Sequence, residues 1–478
     1  MYINEKILVG KNENNECYIL PKMANRHGII SGASGSGKTI TLKVLAESFS
    51  KAGVPVFLVD VKGDLSGMCN PGVDNDNIKQ RVTNLNLSEF NLESFPTTFW
   101  DIYGKNGHSI RTTVSNVGPK LLARMLNLTD AQEGVLTVVF KIAEDENLEI
   151  IDLKDLRSLL TYASEKRKEY SVSYGNITVQ SIASIQRNLL TLEEEGGDYF
   201  FGKPEFDIND FIKCDSNYQG FINVLHAVTL FNHPNLYATF LVWMLTNLYQ
   251  TMPEVGDLDK PKVVFFFDEA HLLFSEMPDH MIKQIIQIVK LIRSKGIGLY
   301  FISQSPSDIP DEILSQLGNR IQHVLRYYTK SDEKSIKVAA DSFRINPNFD
   351  IEEAITTLKT GEAIVSFQNE HGEPTIAEKV TILPPQSQMG TITDERRMEV
   401  IRSSALYNKY ETKIDTISAF EKIEDIKEKE VKEVETKEEK KAKKKKSKAE
   451  KTMDKFTNSI VSTLGRKIGN SIFKNLFK

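Results

Sequence analysis

The stretch "HGIISGASGSGKT", His27–Thr39, decides how this chain is read. Within it, "GASGSGKT" fits G-x-x-x-x-G-K-T, with Gly32, Gly37, Lys38 and Thr39 at the fixed positions. Each residue type has a physical reason. Glycines let the backbone take positive φ and turn amide N–H groups toward a phosphate. A helix start adds a favourable dipole. The Lys38 ammonium neutralises β- and γ-phosphate charge, and the Thr39 hydroxyl ligates Mg²⁺. The short apolar run "HGIIS" precedes the loop, and a helical pattern, "KTITLKVLAESFSKAG", follows it. The phosphate loop is therefore read as Gly32, Ala33, Ser34, Gly35, Ser36, Gly37, Lys38, Thr39 and Ile40. A flexible Ser/Gly turn is the bland alternative; strand, lysine and threonine together weigh against it.

A second stretch supplies the acid. "VVFFFDEAHLLF", Val263–Phe274, is an apolar strand ending in Asp268, where a carboxylate holds Mg²⁺ through water. Glu269 follows and can activate the attacking water as a base. The letters DEAH are also a helicase signature. A DEAH-box helicase, however, needs two RecA-like domains and a second-domain Q-x-x-G-R-x-G-R motif. This chain has one phosphate loop and no such motif. The strand "GLYFISQ" ends in Gln304, whose amide can hydrogen-bond water or a γ-phosphate, or simply cap the strand. A motor of this kind needs a cation on the developing charge, often an arginine from a neighbouring subunit. Arg293 is the first candidate, ahead of Arg320 and Arg326. "VDVKGDLSG" sets Asp60, Lys62 and Asp64 at the carboxyl end of a strand, where ligands bind in open α/β sheets. A solvated turn is the alternative there. His271 reads equally as a coupling residue or as a helix-start side chain with a local hydrogen bond.

The remaining pattern gives the architecture. "VPVFLVD", "FINVLHA", "VVFFFD", "GLYFIS", "RIQHVLR" (Arg320–Arg326) and "EAIVSF" are continuous apolar runs, as in parallel strands covered on both faces. Helical patterns such as "MIKQIIQIVKLIRSKG" separate several of them, which predicts a doubly wound α/β sheet. Residues 1–71 and 216–385 are read as this core, and 72–215 as an α-rich insertion. Residues 386–451 read as a charged helix or disordered linker, ending in "KKAKKKKSKAEK". In 452–478, Met453, Phe456, Ile460, Leu464, Ile468, Ile472 and Leu476 recur mostly every fourth residue. This amphipathic segment suits docking, self-assembly or a membrane surface. Trp100, Trp243 and the Phe200–Phe201 and Phe265–Phe267 runs read as core; "GGDYFFG" (Gly196–Gly202) reads as a loop. The net charge of −5 gives no global nucleic-acid signature, so any such binding needs a local patch. Three distant cysteines without ligand spacing argue against zinc and fit a reducing compartment. Without a signal-peptide core or a run of 18 apolar residues, a cytoplasmic protein is expected.

Taken together, these motifs resemble the HerA/FtsK branch of P-loop motors, and most of all the YjgR-type HerA-like ATPases. The resemblance runs from "PKMANRHGIISGASGSGKTITL" to "VTILPPQS" and includes "GHSIRTTVSNVGPKLLARML", "LYATFLVWML" and "LIRSKGIGLYFISQSPSDIPDEILSQLGNRIQHVLR". It implies a RecA-like P-loop NTPase core, assembled as a homo-oligomeric ring, a hexamer, with ATP and Mg²⁺ bound between subunits. By the same analogy "RSKGIG" matches the place of a trans-acting arginine, which favours Arg293 over Arg320. HerA itself translocates on double-stranded DNA with a nuclease partner. HerA also carries a β-barrel domain ahead of its P-loop, where about 30 residues precede Gly32 here. An ATP-switched scaffold with no strand-moving activity is the alternative reading.

Overall fold

A computed structural model describes the backbone of residues 1–276 and 279–475, with side chains except those of Glu276, Glu439, 442–451, Val461 and 463–475. The chain forms two compact units, Met1–Thr416 and Ile417–Lys478.

The first unit is built on a sheet whose strands, in chain order, are β1 (Tyr2–Ile3), β2 (Lys6–Lys11), β3 (Glu16–Ile19), β4 (Gly28–Ser31), β5 (Val56–Asp60), β6 (Thr97–Asp101), β7 (His108–Ser109), β8 (Ile222–His226), β9 (Val263–Phe267), β10 (Ile297–Ser303), β11 (Asn319–Gln322), β12 (Glu362–Ser366) and β13 (Glu378–Ile382). Their order across the sheet is β1-β2-β13-β12-β11-β4-β10-β9-β5-β8-β6-β7, with β3 paired to β2. From β11 to β7 every pair is parallel. The other end, from β12 to β1, is antiparallel.

The triple phenylalanine of β9 shows why the centre must be a covered strand. Side chains alternate across a strand. Phe266 faces Phe49 of the helix Lys38–Lys51 (ring centroids 6.2 Å apart). Phe265 points to the opposite layer with Phe57 (5.1 Å), and Phe267 with Phe301 (5.4 Å). Each buried ring contributes about 1.5–3 kcal/mol. A polar residue at any of the three positions would sit unpaired between layers. His27 ties β4 to its neighbours: its Nδ1 accepts from Leu299 N (3.1 Å) and its Nε2 donates to Val289 O (3.0 Å). That arrangement needs a neutral ring, and burial pushes its pKa down to about 4.

Three boundaries differ from the sequence reading. "EAIVSF" is β12, antiparallel to β11, because an apolar run signals burial and not direction. The segment 72–215 is rich in helix but is not a pure insertion beside the sheet. Its residues 97–109 add β6 and β7 to the sheet, and Trp100 Nε1 donates to Asn223 Oδ1 of β8 (2.9 Å). Besides Asp76–Asn84 and the short Gly197–Phe200, its α-helices are Val114–Met125, Asp130–Asp145, Leu153–Glu165, Arg167–Tyr174 and Val179–Glu194. It is seated through the apolar helix Pro234–Thr251, where Trp243 meets the buried Phe200 (5.2 Å). In "GGDYFFG" Asp198 and Tyr199 are exposed; Phe200 and Phe201 are core. Lastly, the compact unit does not stop at Pro385. Glu47, on the helix after the phosphate loop, accepts from Gln386 N (2.8 Å), Ser387 N (3.0 Å) and Ser387 Oγ. Residues 386–387 are buried by these polar contacts, which no hydrophobic pattern announces.

The second unit is the helix Ala419–Asn475. Met453, Phe456 and Ile460 are exposed on it. The side chains of Leu464, Ile468 and Ile472, and all of Leu476, lie outside the described residues. Among the described residues no helix is long and apolar enough to cross a membrane.

Replacing Glu47 with Ala would orphan two buried N–H groups. It is expected to lower unfolding free energy by about 2–4 kcal/mol, read by denaturant melts. Like His27, His323 is buried, with its pKa down to about 4. At these two rings the unfolded chain then binds more protons than the folded one between about pH 6.5 and 4, while the raised carboxyls of Asp60 and Asp268 act in the opposite sense. The histidines' contribution should be intact above about 6.5 and be lost progressively toward 4, so a His323→Asn protein should lose less Tm on acidification across that window than the original chain.

Candidate functional site

The phosphate loop is shaped by three left-handed glycines, Gly32 (φ 151°), Gly35 (75°) and Gly37 (118°). At Gly32 no side chain fits, because a Cβ would come 2.5 Å from His323 Cβ. His323 follows β11 and braces the loop from behind. Its Nδ1 donates to Glu362 O (2.9 Å), and its Nε2 pairs with the Thr41 hydroxyl (2.8 Å). Gly361 N donates to Ser36 O (3.0 Å), and Ala33 N to Val324 O (2.8 Å). The loop is thus held open by the antiparallel end of the sheet. Lys38 lies at its centre, donating to Gly32 O (2.6 Å) and Ala33 O (3.2 Å). Ser34 and Gly35 face outward, and Thr39 and Ile40 are half-buried on the first turn of the helix.

Strand order brings the acids to the same edge. One strand, β10, separates β4 from β9. Ser303 is level with Ser31, so Gln304 leaves β10 beside Gly32 and is exposed. Phe267 is level with Val59, so Asp268 and Asp60 leave β9 and β5 side by side. Asp268 is buried; its Oδ1 accepts from Glu269 N (3.0 Å), while its Oδ2 has no partner among the described residues. Burial, helped by the charge of Glu269, pushes its pKa up to about 7. Glu269 takes a positive φ of 48°, unusual for a side chain of its size. Its Oε1 pairs with the Lys62 ammonium, and its Oε2 lies 3.3 Å from His271 Nδ1 without hydrogen-bond geometry. Burial raises the Glu269 pKa, but the hydrogen bond and charge of Lys62, then the charge of Lys38, outweigh it and leave the carboxyl below its ordinary value. Lys38 itself is lowered by burial, partly countered by Glu269.

This edge fits a magnesium–nucleotide group. Orphaned buried oxygens on Ser36, Asp268 and Glu269 converge with a lysine that has only loop carbonyls to bind. A phosphate and a hard cation would satisfy both. On the far side of the loop a cleft of about 1140 Å³ opens between Gly37, Ile40, Arg81, Lys359 and Lys379.

The "VDVKGD" residues divide. Asp60 is a turn anchor, accepting from Gly63 N (2.7 Å) and Leu65 N (3.1 Å). Lys62 reaches the acid pair, and Asp64 Oδ1 is buried without a hydrogen-bond partner among the described residues. The arginines do not join this edge. Arg293 ends the helix Asp279–Ile292 and precedes β10, so it stands at the amino end of the strand whose carboxyl end carries Gln304. Six residue steps along β10 put the two ends roughly 20 Å apart. The Arg293 side chain is 42% exposed, with the Asp257 carboxylate 4.0 Å away. Arg320 is turned onto Leu314 O (2.9 Å), and Arg326 is exposed. Sequence reading missed His323, the Lys62–Glu269 contact and Arg26, which lies close enough to Arg293 for their charges to oppose. None has a local signal; each follows from strand order.

The chain is 24% identical over 360 residues to "DNA double-strand break repair helicase HerA" of Sulfurisphaera tokodaii, covering 71% of this chain and 62% of that one. The protein of the same description from Saccharolobus solfataricus is 25% identical over 362 residues, covering 75% and 64%. The chain thus spans under two thirds of the length of these curated relatives. In fold it is similar to "Plasmid coupling protein TrwB in complex with the non-hydrolysable GTP analogue GDPNP", with TM-score 0.51 and 14% identity over 79% of this chain and 89% of that one. The family described as "Helicase HerA-like C-terminal" matches residues 5–477, and the chain belongs to this family of P-loop ATPases.

Proposed function

We propose that this chain is the motor of a Mg²⁺-dependent, ATP-hydrolysing DNA translocase that works as a head-to-tail homo-oligomeric ring, a hexamer. One observation carries the reading. Phosphate loop, acid pair and Gln304 share the carboxyl edge of the sheet, while Arg293 is exposed at the opposite edge, roughly 20 Å away. No single chain can bring that cation to its own loop. A second copy stacked edge to edge can, as ring motors require.

In this reading Lys38 carries the β- and γ-phosphates, Thr39 and Asp268 hold Mg²⁺, and the nucleoside occupies the cleft beside Ile40 and Arg81. When bound, Mg²⁺ neutralises phosphate charge as it develops. Glu269 takes a proton from a water that attacks the γ-phosphorus. The bond from that phosphorus to the bridging oxygen breaks, leaving ADP and phosphate. Gln304 orients the water or the γ-phosphate, and the neighbour's Arg293 meets the charge on the transferring group. The DNA substrate is supported by the similarity to the HerA helicases of DNA double-strand break repair.

ATP turnover should rise with double-stranded DNA at low salt, where phosphate contacts are strongest. A rate unmoved by duplex, on a sample of measured oligomeric state, would overturn the translocase reading and favour the ATP-switched scaffold. Glu269→Gln should cut kcat by about 10²–10⁴-fold while ATP still raises Tm; Lys38→Ala should lose that Tm rise as well. Arg293→Ala should lower turnover by about 10³-fold. Mixing it with inactive Lys38→Ala subunits should restore part of the activity, because the Lys38→Ala subunit still donates an arginine. If mixing restores nothing at any ratio, Arg293 does not act across subunits.

A further inference from the structure

One of the two carboxylate oxygens of Glu269 is already engaged. Its Oε1 is engaged by the Lys62 ammonium, and its buried Oε2 faces the ring of His271. The two partners of the ion pair are unlike in mobility. Glu269 is 6% exposed, follows directly on the covered strand β9, and sits on a left-handed residue whose N–H is tied to Asp268. Lys62 leaves a turn whose backbone Asp60 pins at both Gly63 and Leu65, yet its own side chain is 48% exposed. The turn is fixed and the four-carbon stem can swing into solvent.

We propose that Lys62 is a positioning residue that restrains hydrolysis by competing with water for Glu269. It rests on the reading of Glu269 as the base. Turnover then depends on how often Lys62 leaves Glu269, and any anion drawing the exposed ammonium away raises the rate. The pairing joins two strand ends, β5 and β9, that are neighbours across the sheet, so it holds only while their carboxyl ends stay level.

The test is ATP hydrolysis by the full chain without DNA, using Lys62→Met and Lys62→Arg. Lys62→Met should raise kcat about fivefold with KM unchanged, the scale of one partly exposed ion pair. Lys62→Arg keeps a cation in reach and should stay near the original rate. A Lys62→Met kcat that is unchanged or lower, with Glu269→Gln inactive, overturns the restraint alone. A Lys62→Met/Glu269→Gln double variant that still turns over overturns the base assignment, and the restraint with it. Equal acceleration by Lys62→Arg also overturns it, since loss of shape rather than of charge would then be the cause.

Discussion

Two carboxylates and two ammonium groups share one sheet edge, and the rest of the site is arranged around their balance. Asp268 and Glu269 are adjacent in sequence, buried, and of like charge. Left alone, such a pair protonates, and Asp268 is already pushed up to about 7. Lys62 and Lys38 offset the pair from two different loops, one after β5 and one after β4. A divalent cation at Asp268 would complete the neutralisation, which makes metal binding and the protonation of this edge one equilibrium.

That balance is possible only because of strand order. With β10 between β4 and β9, the loop and the acids are one strand apart on the same edge. The same strand carries Gln304 at one end and follows Arg293 at the other. A single element therefore spans two functional edges. A displacement along β10 would be felt at both ends, and in the proposed ring it would link what one subunit binds to what it presents to the next.

Much of this was legible in the sequence, and the reasons are physical. The glycine pattern, Lys38 and Thr39 are contiguous because a phosphate nest is a local backbone shape. The Asp268–Glu269 pair was legible because the run before it can only be a covered strand. The central strands were found because burial on both faces erases alternation. What escaped depends on partners distant in sequence. "TTFWD" becomes a sheet strand only beside β8, and Lys62 finds Glu269 only because β5 and β9 are neighbours. Gln386 and Ser387 look like linker and are buried by a glutamate from the first helix. Direction escaped too, since β12 is as apolar as its parallel neighbours.

The pairing of β2 with β13 has a consequence for how the molecule comes into being. Thr381 is level with Lys11, and Ile382 with Gly10, so the earliest segment made closes against one of the last in the sheet. At about 5–20 residues per second, β2 leaves the ribosome roughly 20–70 s before its partner exists. During that interval it has only β1 and β3 for company, and its other edge is open to any extended chain nearby. The antiparallel end that braces the phosphate loop is thus the last part to set. A chain cut short before residue 378 would carry every motif of the nucleotide site but would lack β13, the strand that joins β12 to β2.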